Sequence, residues 1–305
     1  MKFSAVVFIS ILLWGCAQQQ PLLEREPAPK AKGWDGVIEN YTVWPDRVQE
    51  TSGLASQGGL LWTINDSGDG PYLYALDGQH NIVKVIKVGN AKNIDWEELA
   101  QDESYLYIAD CGNNRGRRIE LQIYKVAWKN LESTRAGGIV SPEILKFNYA
   151  DRPAKVAPNS HNLDCEALTV VNDELWLFTK NRENEQTHLY KLDKSKAEQS
   201  VTLTERFDVK GLVTAADYDP VTKRLALLGY AKQKIFGHSF LWVVPVTDAP
   251  NWEEARRTYI QPYAQWEALV WDREQNGRLV LSTEKSLLLD VGVGELNLTV
   301  PTEFL

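Results

Sequence analysis

Three glutamates and two hydroxyl residues recur at one position of a repeated segment. The segment reads TSGLAS from Thr51, DWEELAQD from Asp95, DCEALTVV from Asp164, VTAADYDP from Val213 and QWEALVWD from Gln265. Aligned, the copies place Ser52, Glu97, Glu166, Thr214 and Glu267 in one column, with gaps of 45, 69, 48 and 53 residues. Carboxylate and hydroxyl oxygens are hard ligands suited to Ca2+, which takes roughly six to eight of them. Glutamates converging on one axis repel one another unless a cation sits between them or some hold a proton. The column is therefore a candidate Ca2+ centre, with Asp95 and Asp164 placed to add a ligand or orient water. The alternative is a wet channel whose carboxylates are solvated or paired with nearby cations. Glu97, Glu166 and Glu267 are also candidate catalytic groups. His161, in the segment leading into the third copy, is a candidate general base.

Periods of this size belong to repeat architectures. Each copy is followed by a second apolar run: LLWTIND, YLYIAD, ELWLFTK, RLALLGY and RLVLSTE, from Leu60, Tyr105, Glu174, Arg224 and Arg278. A third follows: YLYALD, LQIYKV, HLYKLD, SFLWVVPV and SLLLDV, from Tyr72, Leu121, His188, Ser239 and Ser286. A more polar fourth often closes the unit, as in VKVIKV from Val83 or EILKFNY from Glu143. The runs are short, β-branched or aromatic, and bounded by Gly, Asn, Asp and Pro, which is strand chemistry. Four strands per repeat predict an all-β chain, a β-propeller of five four-stranded blades. Near-continuous apolarity in the inner runs disfavours a β-sandwich, whose strands alternate more cleanly. The alternative count is six, with a degenerate blade between Lys129 and Asn162. The stretch GVIENYTVWP from Gly36 to Pro45 precedes the first copy, and is expected to pair near Glu295 and close the ring.

In a propeller the innermost strands line the channel, and the loops after the second strands share the face of the column. These loops start at Asn65, Asp110, Thr179, Gly229 and Ser282. They offer Asp66, Asp110, Asn113, Asn114, Arg115, Lys180, Asn181, Arg182 and Lys285 as candidate contacts for an anionic ligand, along with Lys232 and Lys234. Trp62, Trp96, Trp176, Trp266 and Trp271 recur inside the strands and read as packing between blades.

The chain opens with Lys2, an apolar stretch from Phe3 to Leu13, and Trp14-Gly15-Cys16. That pattern is an export signal, too short to span a membrane. Cys16 after Gly15 resembles a bacterial lipoprotein signal, which implies cleavage after residue 15 and lipid on the Cys16 sulfur. Ala17 in place of Asp points to the outer membrane. Residues 16–35 read as lipidated cysteine and tether, and residues 36–305 as one propeller domain, expected to be monomeric. The formal net charge is −8, which argues against sequence-independent nucleic-acid binding. Of three cysteines, Cys111 and Cys165 remain beyond Cys16. They either bridge neighbouring blades, as an oxidising compartment allows, or stay as buried thiols.

The column resembles that of the calcium-activated nucleotidases, or apyrases, which are five-bladed propellers with glutamates on three inner strands and serines on two around a central Ca2+. Ser52, Glu97, Glu166 and Glu267 match, and Thr214 stands for the second serine. The resemblance implies Ca2+ as cofactor and phosphohydrolase activity on a nucleotide or another phosphorylated small molecule. It does not extend to base-recognition residues. The chain also resembles exported bacterial lipoprotein propellers built on the same SGLA, NDSG and GNN signatures. Fold alone does not assign function, so two classes stand: a membrane-tethered module that captures an anionic ligand or protein partner, and a Ca2+-dependent phosphohydrolase.

Overall fold

The apolar runs pair as five antiparallel sheets whose inner strands touch one another in cyclic order, a five-bladed β-propeller. The computed structural model describes residues 35–231, 237–286 and 289–298. Cys16, the expected export signal and the expected tether up to residue 34 lie outside the described residues, as do Lys232 and Lys234, whereas Asp35 already belongs to a strand.

In blade order, the inner strands are Thr51–Gln57, Trp96–Gln101, Cys165–Val171, Leu212–Asp219 and Trp266–Trp271. The second strands are Leu60–Asn65, Tyr105–Asp110, Glu174–Thr179, Arg224–Ala231 and Arg278–Thr283. The fourth strands of blades 1 to 4 are Ile82–Val88, Glu143–Tyr149, Leu203–Phe207 and Arg256–Gln261, and blades 1, 2 and 4 each add a short parallel strand beyond them. Blade 5 takes its outer strand, Glu39–Val43, from the start of the domain, with Glu39 opposite Glu295 as expected for ring closure. Just before it, Asp35–Val37 pairs in parallel with blade 4. The segment from Lys129 to Asn162 forms no sixth blade. It holds the end of a short helix, Trp128–Ser133, an edge strand on blade 1, Ile139–Val140, and the outer strand of blade 2.

Two features differ from expectation: the stretch expected to close the ring divides, Gly36 and Val37 joining blade 4, and blade 5 uses a different third strand. The third strand of blade 5 is Gly292–Asn297, not the apolar run from Ser286. Its glycines explain the choice, because a Cβ on Gly292 would lie 2.5 Å from Thr42 O and one on Gly294 2.3 Å from Ile38 Cγ2. Only a bare backbone admits the closing strand at that distance.

Five apolar clusters fill the five blade interfaces. Trp62 meets Leu106 and Ile108 between blades 1 and 2. Tyr107 and Phe147 meet Leu175 and Tyr190 between blades 2 and 3. Trp176 and Phe178 face Leu225 and Trp242, Leu228 and Leu241 face Trp266, and Val270 and Val293 meet Leu54 and Tyr74. Burial on both faces is what made the inner runs continuously apolar.

The inner strands share a further feature. In every blade the ladder between first and second strand skips one residue, and the skipped residues are Ser52, Glu97, Glu166, Thr214 and Glu267. A β-bulge leaves one residue unpaired and re-aims its side chain. The chemical column is thus a column of bulges. The residue after each bulge is Gly53, Glu98, Ala167, Ala215 or Ala268. A Cβ on Gly53 would stand 2.3 Å from Leu99 N and 2.7 Å from Glu98 C. These are backbone atoms of the next blade that cannot swing aside. Gly53→Ala is therefore expected to destabilise the fold by about 3 kcal/mol or more, read from urea melts; wild-type stability would show that the blades separate freely here. Glu98, the exception among these small residues, is fully buried. Its carboxylate accepts from Leu99 N at 3.0 Å and from Ala216 N of blade 4 at 3.1 Å. Blades 2 and 4 are not neighbours, so this contact crosses the ring and floors the channel.

Candidate functional site

A cavity of about 200 Å3 opens at the end of the channel that carries the bulges. All five column residues line it, together with Asp66, Lys180, Tyr230 and Glu284, and with Asn114, Arg182 and Gln265. The four in the middle form a second ring. Each ends the second run of its blade, the runs reading LLWTIND, ELWLFTK, RLALLGY and RLVLSTE. The equivalent residue in blade 2, Cys111, is instead bonded to Cys165 with the two Cα atoms 5.4 Å apart. Tyr230, Glu284 and Gln265 were missed from sequence. The last letters of the aligned second runs were the signal for the first two.

The two hydroxyls of the column fasten neighbouring blades. Ser52 Oγ donates to Trp96 O at 2.7 Å, and Thr214 Oγ1 donates to Trp266 O at 2.9 Å. Each acceptor immediately precedes the column residue of the next blade. Between blades 2 and 3 the disulfide does this work, aided by Asn113 N donating to Asp164 Oδ1 at 2.8 Å.

The carboxylates divide into two groups. On the side of blades 3 and 5, the buried Lys180 places Nζ 2.8 Å from Glu166 Oε2 and 3.9 Å from Glu267 Oε2, with the Tyr230 ring centroid 5.5 Å away. Burial works against the ammonium charge, but Glu166 and Glu267 outweigh it and hold the Lys180 pKa well above its ordinary value. Arg182 bridges Asp164 Oδ2 at 3.0 Å and Glu166 Oε1 at 3.4 Å, and also donates to Asn114 Oδ1. Lys180, expected as a contact for an anionic ligand, is therefore placed among the glutamates instead.

On the side of blades 1 and 2, Asp66, Asp95 and Glu97 bring carboxylate oxygens within 4.8 Å of one another. No Lys or Arg of the described residues pairs with any of the three. Glu97 is only 7% exposed, and no described hydrogen-bond donor reaches its carboxylate. Burial, then Glu166, Asp66 and Asp95, push its pKa well above the ordinary carboxylate range. Burial, then Asp66 and Asp164, raise Asp95 to about 7, and burial raises Asp66 to about 6. Glu284, beside Glu267, is pushed to about 8, again mainly by burial. Gly112 closes the wall: a Cβ there would lie 1.9 Å from Glu97 Oε1 and 2.5 Å from Asp95 Cγ. The glycine leaves just the room that the two carboxylates occupy.

The remaining candidates sit elsewhere. Asp110 is fully buried, salt-bridged to Arg118 at 3.0 Å and bonded by Gln122 at 2.8 Å. Asn113 exchanges both side-chain bonds with the Arg118 backbone. Asn181 accepts from Thr179 Oγ1 at 2.6 Å inside blade 3. These three fix the loops and do not line the cavity. Arg115 is exposed outside it, and Lys285 pairs with Asp290 on the surface. His161 Nδ1 accepts from Leu163 N at 3.1 Å, which leaves Nε2 to donate to Asn114 O at 3.1 Å. With both ring nitrogens engaged, His161 orders the Asn114 loop and has no free nitrogen for a substrate proton.

No family model matches the chain, and no curated protein matches it in sequence. Solved structures match in fold. The catalytic domain of a GH62 α-L-arabinofuranosidase from Coprinopsis cinerea aligns with TM-score 0.50 at 11% identity, over 87% of this chain and 97% of that one. A calcium-binding regucalcin from Agrobacterium tumefaciens aligns with TM-score 0.46 at 11% identity, over 87% and 96%. Hydrazine synthase of Kuenenia stuttgartiensis gives TM-score 0.43 at 12% identity, covering 84% of this chain, which spans 61% of that one. At these identities the likeness is one of fold, a β-propeller.

Proposed function

We propose that this chain is a lipid-anchored, extracytoplasmic propeller that holds one Ca2+ on Asp66, Asp95 and Glu97 and uses it to capture an anionic ligand or partner at the channel mouth. The observation that carries the reading is the Glu97 carboxylate, buried beside two others with neither donor nor cation among the described residues. An uncompensated carboxylate cluster is costly, and a hard divalent cation is its natural counter-charge. Three carboxylates supply roughly three to six of the oxygens that Ca2+ takes, which leaves positions for water or a ligand oxygen. The set differs from the expected ring: Asp66 joins, while Glu166 and Glu267 belong to Lys180. The Cys111–Cys165 disulfide supports an oxidising compartment, in keeping with export and lipid on Cys16 at the outer membrane.

The second reading, a Ca2+-dependent phosphohydrolase, draws on the same open coordination, since a bound metal ion can polarise a phosphoryl oxygen. It also needs cations for the phosphate, and Lys180 and Arg182 are already engaged by Glu166 and Asp164. Binding without turnover is the better-supported class.

Gly112→Ala tests the site without touching a ligand. The new methyl meets side-chain ends, which can swing away, so the fold should persist while the two carboxylates are forced apart. Calcium titration of chelator-stripped protein should show one ion for the wild type and an affinity about tenfold or more lower for the variant. Wild-type affinity in Gly112→Ala, or no binding in the wild type, would remove the site. Phosphate release from nucleotides or sugar phosphates, dependent on Ca2+, would favour the enzyme instead.

A further inference from the structure

We infer that Lys180 is the propeller's own axial cation: its ammonium takes the place where Glu166 and Glu267 converge, and so restricts the cavity to a single divalent ion on the side of blades 1 and 2. The inference deepens the Ca2+ reading above and rests on it for the position of that ion. Blades 3 and 5, which carry Glu166 and Glu267, are separated by blade 4. One Nζ that stands 2.8 Å from the first carboxylate and 3.9 Å from the second therefore lies between non-adjacent blades, towards the axis. It arrives there from the second ring, at the end of a blade 3 strand, and the Tyr230 ring of blade 4 lies beside it. The Lys180 side chain is only 7% exposed, so it is no surface lysine resting on a convenient acid.

The two halves of the cavity thus meet one electrostatic demand in different ways. Converging carboxylates in a confined, partly buried cavity favour positive charge between them. At Glu166 and Glu267 the chain supplies it; at Asp66, Asp95 and Glu97 it does not. A divalent ion cannot join Glu166 and Glu267 while the ammonium is there, because the two cations would share the same few ångströms in a medium that screens them poorly. The five-fold column would otherwise present its glutamates to one central ion. Lys180 removes two of the three from that role, which displaces the metal from the axis towards Asp66 and Asp95. Arg182, bonded to the other Glu166 oxygen, holds that carboxylate in place for the lysine.

The test is ion stoichiometry in the full chain, by equilibrium dialysis against Ca2+ or Mn2+. Lys180→Met keeps the methylenes and deletes the charge. Wild type should bind one ion, Lys180→Met two, and Lys180→Met with Glu267→Gln one. If the wild type binds none and Lys180→Met binds one, the Ca2+ reading fails and the role of Lys180 stands. If folded Lys180→Met gains no ion over the wild type, the role of Lys180 is overturned. Should Lys180→Met fail to fold, the charge-balanced variant that adds Glu166→Gln and Glu267→Gln should restore folding. Its failure to do so would equally overturn the inference, since the lysine would then be needed for something other than its charge.

Discussion

Stripped of divalent ions, the protein should lose melting temperature steadily between pH 6.5 and 8.5, and Ca2+ should restore most of it. The acids of the cavity set the sign. Asp95 at about 7, Glu284 at about 8 and the strongly raised Glu97 keep protons in the folded state that the unfolded chain, with ordinary carboxylates, has already released. A raised acid contributes stability below its unfolded pKa, and that stability disappears as pH rises through the folded value. Groups with lowered values do not cancel this. Asp77, Asp102 and Asp193 act only below the ordinary carboxylate pKa. His188, held at about 4 by burial, works the other way below pH 6.5, but it is one group against several raised acids and does not reverse the trend. Ca2+ binds the ionised forms, hence its stabilisation grows over the same window. At a hundred times Kd it amounts to about 2.7 kcal/mol, a rise of about 5–10 °C for a domain of this size. Calorimetric scans at three pH values, with chelator and with Ca2+, decide it. A flat chelator curve from pH 6.5 to 8.5 would mean the acids are compensated by something else. In Glu97→Gln both the slope and the Ca2+ gain should shrink.

Removing the disulfide should have a comparable effect on stability and a second one on the site. Cys111 and Cys165 are 54 residues apart in sequence and fully buried. In the chain-entropy account, opening a loop of that length costs about 4 kcal/mol, or about 8–16 °C in Tm. The bridge also lies between the two carboxylate groups. Cys111 precedes Gly112, which walls Asp95 and Glu97, and Cys165 sits between Asp164 and Glu166. A Cys111→Ala, Cys165→Ala variant should therefore bind Ca2+ more weakly as well as melt earlier. Reductant should do little to the folded wild type, because neither sulfur is exposed. A double variant with wild-type Tm would show that the hydrogen bond from Asn113 to Asp164 suffices to hold blades 2 and 3.

The repeat carried the fold in the sequence. With the five copies aligned, the inner strands and the blade count follow from strand length and spacing, and so does closure of the ring by the stretch before the first copy, although Glu39–Val43 alone does the closing and Gly36 and Val37 join blade 4. The first ring was legible for the same reason, because bulges recur wherever the segment does. The second ring was equally periodic, yet its residues are an Asp, a Lys, a Tyr and a Glu, and no shared chemistry draws the eye to the column. The loops were harder. DCGNNRGR looks like a ligand loop because it is rich in Asn and Arg, but Arg118 consumes Asp110 and Asn113 internally, and only Asn114 reaches the cavity. Spacing tells which face a loop occupies and not which of its polar groups satisfy one another. Lys180 illustrates the limit: the sequence places it in the loop of blade 3, but its reach between the glutamates of blades 3 and 5 depends on side-chain direction, which periodicity does not encode.

The bulges have a further consequence, one for evolution. A residue inside a ladder is constrained by its partner, so changing it disturbs pairing. Ser52, Glu97, Glu166, Thr214 and Glu267 stand outside the ladder, and their backbone pays nothing for a change of side chain. The scaffold behaves as a turret whose tool positions are Glu97, Glu166 and Glu267, while Ser52 and Thr214 also bolt neighbouring blades together. At the three glutamate positions a different ligand group can be mounted while the ladders stay in register, so new binding chemistry can be sampled there without breaking strand pairing.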